Sequence, residues 1–242
     1  MNFIVKLADI CIEINSVYPE LKNFLKDYLV SDTTPDFSIT INEDEILAER
    51  EATSDKQFSL TYLETLATLR KLAEILPSYN RILMHGASIS YHGQAYLFTA
   101  PSGTGKSTHI RLWKKYLGDD VKIVNGDKPF ISLDGEPSIY GSPWAGKENW
   151  HRNCCMPLKG ICFVQRGTEN SIRNIEPFEC LSLLFKQVYL PSSAEAAGLT
   201  LELVDALTKK VPLYLLTCDM SEEAVQCSFE GLTGLTYPSS TK

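Results

Sequence analysis

The sequence predicts an α/β fold: a mixed sheet preceded by a small α/β unit. Three observations carry that reading. β-rich segments alternate with stretches whose apolar residues recur at helical spacing. A glycine-rich loop stands between a strand and an amphipathic helix. His92-Gly93 and Asp134-Gly135 each separate two β-rich runs as hairpin turns, so some neighbouring strands run antiparallel.

In the first unit, taken as residues 1–78, Ile4 to Ile14 alternates as a strand does, and Phe37 to Ile41 forms a second strand between Pro35 and Asn42. Between them Leu21, Phe24, Leu25, Tyr28 and Leu29 make one helical stripe. Residues 43–57 are densely charged and read as a solvated loop or edge. A helix follows with Tyr62, Leu66, Leu69, Ala73 and Leu76 on one face, stopped by Pro77.

The second unit, residues 79–242, opens with β-rich segments at Ile82–Tyr91 and Gln94–Thr99. Ile110, Trp113, Tyr116 and Leu117 then supply a helix that Gly118 ends. Strands are expected at Val121–Val124, Phe130–Leu133, Ser138–Tyr140, Gly160–Gln165, Ser171–Ile175 and Leu213–Cys218. Helices are expected near 178–189, 199–209 and 222–232. The first of these presents Leu181, Leu184, Phe185 and Val188 as core.

Composition narrows the function classes. The 242 residues are 44% hydrophobic and 22% charged, which suits a folded chain and excludes collagenous, mucin-like and disordered ones. Thirty acidic against 23 basic residues leave a net charge of −7, so no basic field draws in nucleic acid or an anionic membrane. No run approaches the roughly 20 apolar residues of a membrane span, and the start meets acids too early for a signal peptide. A cytoplasmic location is expected. Seven cysteines without a CxxC pair, and four scattered histidines, argue against a disulfide framework or a zinc site.

Ala100 to Ser107 fits a phosphate-binding loop, except that Ala100 stands where the pattern has glycine. Gly103 and Gly105 permit backbone conformations that turn successive N–H groups inward, and Ser102, Thr104 and Thr108 complete the cradle. Lys106 brings a cation to the outer phosphates, the Ser107 hydroxyl can ligate Mg²⁺, and the helix adds its positive end. A nucleoside triphosphate is the expected ligand.

The order of motifs then becomes informative. Met84-His85-Gly86, a strand, His92-Gly93, a strand and the loop resemble the catalytic domain of the HPr kinase/phosphorylase family. Further segments, Asn125-Gly126-Asp127-Lys128-Pro129, the stretch 140–150 (YGSPWAGKENW) and 157–167 (PLKGICFVQRG), look like its small, phosphoenolpyruvate-carboxykinase-like bacterial relatives. The resemblance covers most of the chain after residue 60. It implies a P-loop fold of the phosphoenolpyruvate carboxykinase type, with ATP and Mg²⁺ as cofactors. It also implies phosphoryl transfer to a hydroxyl on a peptide, protein or small molecule.

By that resemblance Lys106 and Ser107 serve triphosphate and metal, Asp127 is the metal-directed second acid of a pair, and His85 matches an upstream active-site histidine. Gly126 stands where the family has the first acid, its general base. The base is then Glu148, His85 or Asp127 itself, or the chain is a nucleotide-binding regulatory module. Losing a base costs about 10²–10⁴-fold, yet phosphoryl transfer depends chiefly on positioning and charge.

Other residues carry two readings each. Lys147 and Arg152, in the Trp144–Arg152 segment, either offer charge to phosphate or lie in a solvated loop anchored by tryptophans. Asn125 either orients Asp127 or caps its turn, and Arg166 either reaches the phosphates or sits in a surface turn. His109 belongs to packing or surface rather than catalysis. No segment marks an oligomer interface.

Overall fold

The computed structural model describes residues 1–53 and 57–238. The chain begins with a hairpin of β1 (Asn2–Leu7) and β2 (Ile10–Asn15), in register as Val5↔Ile12. The single alternation expected over 4–14 is thus two strands. Their turn is Ala8-Asp9, both at positive φ (49° and 65°), a pair without the usual Asn-Gly signature. The Asp9 carboxylate accepts from the Tyr140 hydroxyl at 2.7 Å, which holds the turn from outside.

The expected helix through Leu29 ends early. α1 (Glu20–Phe24) gives way to one 3₁₀ turn, Lys26–Tyr28, and Leu29 opens β3 (Leu29–Val30) beside Val5. β4 (Phe37–Thr40) runs parallel to β2, and the order is β3-β1-β2-β4.

The charged stretch expected as a loop is a helix, α2 (Glu43–Ala52). Asn42 accepts from the Glu45 N–H and the Glu45 carboxylate accepts from the Asn42 N–H, a capping box that outweighs the polar composition. Glu49 is buried against Arg70. Residues 54–56 of that reading lie outside the described residues.

α3 (Leu60–Ile75) starts at the Ser59 cap. Leu69, Ala73 and Leu76 are buried as expected and Leu66 is half-buried, with Leu63, Ala67 and Leu72 widening the face, whereas Tyr62 is 44% exposed. Glu64 is buried on the same helix, its carboxylate receiving the Val17 and Tyr18 N–H groups. Pro77 lies inside a 3₁₀ turn, Leu76–Tyr79.

Among the described residues the second sheet has nine strands. β5 (Arg81–Leu83), β6 (Ala87–Tyr91) and β7 (Gln94–Thr99) come first. The run 82–91 is therefore two strands with different neighbours: β5 pairs with β9, β6 with β7 and β8. His85-Gly86 makes the break, and a Cβ on Gly86 would stand 2.6 Å from Leu97 Cδ1. After β7 come α4 (Lys106–Leu117), β8 (Val121–Asn125), β9 (Phe130–Ser132), β10 (Ser138–Tyr140) and β11 (Cys155–Arg166). The chain closes with β12 (Ser171–Asn174), α5 (Pro177–Phe185), α6 (Ala194–Lys210), β13 (Leu213–Cys218) and α7 (Glu222–Thr233).

The order is β5-β9-β10-β11-β7-β6-β8, with β13 on β11 and β12 on β13. β7, β11 and β13 are mutually parallel, and β6 is antiparallel to both β7 and β8. The carboxyl ends of β7, β8, β11 and β13 therefore open on one edge, where open α/β sheets gather ligands. The mixed α/β sheet expected from the sequence is present, and both hairpin turns form.

Apolar residues cover both faces. α4 and α7 bury Ile110, Trp113 and Phe229 on one side, while α5 and α6 bury Leu184, Val204 and Leu207 on the other. Leu184 and Val188 are buried and Phe185 packs against the core as expected, whereas Leu181 is exposed and Cys180 is buried in its stead; Phe178 is exposed as well (76%). The core beneath the first sheet takes in Leu83, Phe130 and Trp144, crossing the expected 78/79 division. Among the described residues no helix is long and apolar enough to cross a membrane.

Candidate nucleotide site

The strand–loop–helix unit forms as its glycines require. β7 ends at Thr99, Gly103 and Gly105 adopt φ of 78° and 127°, and α4 begins at Lys106. No side-chain cap closes this helix start, and its first-turn N–H groups have no acceptor within the helix. Arg166, at the end of β11, donates from Nε to the Thr104 carbonyl (3.0 Å) and from Nη2 to the Gly103 carbonyl (2.5 Å). Binding these carbonyls fixes the loop's peptide planes. Lys106 is 7% exposed and donates to the carbonyls of Ala100 (2.8 Å) and Pro101 (3.4 Å). Burial pulls its pKa down, opposed by the charge of Asp127.

Asp127 follows β8 on the same edge. Asn125 is fully buried and settles its own two readings, since it does both. Its Oδ1 accepts from the Asp127 and Lys128 N–H groups (2.9 and 2.8 Å), while its amide nitrogen donates to the Ser142 carbonyl (2.8 Å). Asp127 Oδ1 lies 3.3 Å from His85 Nε2 and Oδ2 lies 2.5 Å from Lys128 Nζ. Burial alone would raise this carboxyl, but the His85 hydrogen bond and the Lys128 charge outweigh it and hold the pKa below the usual range. On its other side His85 Nδ1 meets Gln187 Oε1 at 2.8 Å.

Gly126 donates to the Trp150 carbonyl (2.8 Å). The place a side chain would take there is filled by backbone: a Cβ would stand 2.7 Å from the Ala145 carbonyl oxygen. Glu148 is half exposed and paired with Arg111 of α4 (3.1 Å), whose guanidinium also lies over the Trp150 ring at 5.4 Å. Trp144 is buried and donates to the Thr65 carbonyl at 2.9 Å.

The glycine loop, His85, Asp127 and Glu148 share one cleft of about 770 Å³. It is lined by residues 102–108, His85, Asp127, Ala145–Glu148, Arg166 and the end of β13. Each candidate site residue from the sequence is there: His85, Ser102, Gly103, Thr104, Gly105, Lys106, Ser107, Thr108, Asp127 and Glu148. Lys147 lines the cleft and Arg152 does not. Arg166, whose role the sequence left open, belongs to it. Arg111 and Gln187 were missed, Gln187 because it lies 102 positions from the histidine it touches.

His109 is packing. It is 3% exposed, within 2.9 Å of the Ser228 hydroxyl, and accepts from Trp113 Nε1; burial lowers its pKa to about 4.

Ser107 and Asp127 both offer hard oxygen donors to the cleft. Among the described residues there is no group of three or more His, Cys, Asp or Glu side chains able to hold a metal. That donor set fits Mg²⁺, which takes one or two protein oxygens and completes its shell with phosphate and water. It does not fit zinc.

No protein-family model matches the chain, and no curated protein does. Among solved structures it is similar to the HPr(Ser) kinase/phosphatase from Coxiella burnetii, at 10% identity and a TM-score of 0.34, over 63% of this chain and 93% of that one.

Proposed function

We propose that this protein binds a nucleoside triphosphate with Mg²⁺ in the 770 Å³ cleft and transfers the terminal phosphoryl group to a hydroxyl. The observation that carries the reading is a juxtaposition. A glycine loop with a buried lysine at the start of α4 faces an ionised carboxylate across one cleft, on the edge where four strands end. The loop's N–H groups, the helix end and Lys106 bind the triphosphate. Ser107 and Asp127 would hold Mg²⁺, which would neutralise charge on the outer phosphates.

The acceptor oxygen forms a bond to the terminal phosphorus while the bridging P–O bond breaks and the nucleoside diphosphate leaves. The hydroxyl proton goes to Asp127. With its pKa held low, Asp127 is a weak base, so proton transfer comes late and the rate rests on positioning and charge. Glu148, paired with Arg111, is the poorer candidate for that role. The acceptor is a serine of a peptide or protein, or a small-molecule hydroxyl, and ATP is the expected donor.

A second reading, a nucleotide-binding regulatory module, draws on Gly126, where backbone fills the space of an acid. Calorimetry with MgATP and an assay of phosphate release to water separate the two. Binding that Lys106→Ala abolishes, with turnover that Asp127→Asn abolishes, supports the kinase. Binding without turnover in the wild type supports the module, and unchanged affinity in Lys106→Ala removes both.

A further inference from the structure

Gln187 is 5% exposed, and burying a carboxamide costs stability unless its polar atoms are bonded. Its N–H donates to the Leu184 carbonyl (2.9 Å), and its two oxygens both meet His85. Oε1 meets His85 Nδ1 at 2.8 Å, and its backbone carbonyl accepts the His85 N–H at 2.6 Å. Val188 bridges Met84, and the Tyr189 N–H donates to the Leu83 carbonyl (3.0 Å), so residues 187–189 run antiparallel beside 83–85. This strip is tied down from the first unit: Arg70 Nη1 donates to the Tyr189 hydroxyl at 2.9 Å.

We propose that Gln187 is the positioning residue of the His85–Asp127 pair, fixing where the imidazole sits and which ring nitrogen faces the carboxylate. The inference rests on the kinase reading for its catalytic consequence and on geometry alone for its structural one. The imidazole stands between two partners, Gln187 at Nδ1 and Asp127 at Nε2. Turning the ring by half a revolution would put carbons where the nitrogens are and forfeit both contacts. One orientation therefore survives, and Asp127 Oδ1 keeps its partner. A carboxamide suits this post, because it can offer oxygen or N–H to Nδ1 and satisfies that nitrogen whether or not it carries a proton. Orienting a histidine through its second nitrogen is how outer-shell groups act on reactive imidazoles.

The test uses the full chain with Gln187→Met, which keeps the volume and removes the hydrogen bond, and Gln187→Asn, which keeps the amide but shortens its reach. Long-range ¹⁵N–¹H imidazole spectra of ligand-free protein, with the His85 signals assigned through His85→Asn, read the ring directly. MgATP affinity and phosphate release to water read the consequence. In both variants the His85 Nδ1 resonance moves, kcat falls roughly tenfold, and KM for MgATP stays within about twofold, because Gln187 does not line the cleft. A wild-type His85 spectrum with unchanged kcat in the variants overturns the proposal. If the Met variant fails to fold, the Asn variant decides alone. Should the wild type bind no MgATP, the kinase reading fails, while the spectra still decide whether Gln187 orients His85.

Discussion

Gly126 and Ala145 approach so closely that any Cβ at position 126 would stand 2.7 Å from the Ala145 carbonyl oxygen, nearer than real Cβ atoms come to backbone. Glycine here reflects the packing of the 145–150 segment against the end of β8, not simply an acid deleted from a site that could still hold one. Gly126→Ala and Gly126→Asp are therefore expected to cost about 1–3 kcal/mol of stability, as overpacking does. Urea unfolding checks this. Aspartate at 126 is expected to lower MgATP affinity by displacing Ala145–Glu148 from the cleft wall. A gain of turnover at wild-type stability would refute that account.

Lys106 illustrates a site held at a cost to the fold. Its ammonium is buried and its pKa is depressed, so between the depressed value and 10.5 the folded state holds the proton less than the unfolded one. Its charge thus opposes folding at neutral pH, and the opposition fades as pH rises toward the ordinary lysine value of 10.5. Lys106→Met is expected to lose MgATP binding while its Tm stays level or rises. Calorimetry and thermal unfolding, run on the same sample, read both halves.

Arg166 grips two successive loop carbonyls, so its loss should loosen the loop before it changes anything else. A hydrogen bond from a charged donor contributes about 1.5–3 kcal/mol. Arg166→Ala is expected to weaken MgATP binding by about tenfold or more and to speed amide exchange at Gly103–Lys106 in the ligand-free protein. Lysine at 166 restores charge without the fork and should recover little. Equal exchange rates in wild type and Arg166→Ala would rule out the clamp.

His109 gives the clearest pH signature. Its pKa falls from 6.5 to about 4 because burial disfavours the charged ring. A histidine with a lowered folded pKa gives stability that is whole above 6.5 and is lost as pH falls toward 4. The loss is on the order of 3 kcal/mol. His109→Gln is expected to flatten that acid limb, measured as unfolding free energy against pH. The same slope in both proteins would show that His109 titrates normally.

Local signals carried most of what the sequence disclosed. The glycines of 103–105, the His92-Gly93 turn and the stripe through Ile110 and Trp113 act over a few residues, and each formed as read. The misreadings came where a distant partner decides. α2 looked like a loop because its capping box and its buried Glu49 matter more than its charge. Within α3 the burial of Glu64 was not legible, because the Val17 and Tyr18 N–H groups it accepts from lie 47 and 46 positions away. At the site, the glycine loop with Lys106 and Ser107 was visible as a contiguous motif. The Gln187 contact of His85 was not, since the two meet only after the strip at 187–189 folds back along 83–85.

Trp144 ties the cleft wall to the first unit, and its two functions separate by substitution. Its ring packs edge-on against Phe24 and Phe130 (centroids 5.6 and 6.2 Å), and its N–H reaches the Thr65 carbonyl of α3. Trp144→Phe keeps most of the packing and loses the hydrogen bond, so a cost of about 1 kcal/mol is expected. Trp144→Ala opens a core cavity and should cost about 3–5 kcal/mol. Because Ala145–Glu148 lines the cleft directly after it, the alanine variant should also bind MgATP more weakly, whereas the phenylalanine variant should bind as wild type does. Chemical denaturation and calorimetry together test the link. If Trp144→Ala loses stability yet keeps full affinity, the cleft wall stands without support from the N-terminal unit, and α3 serves the fold alone.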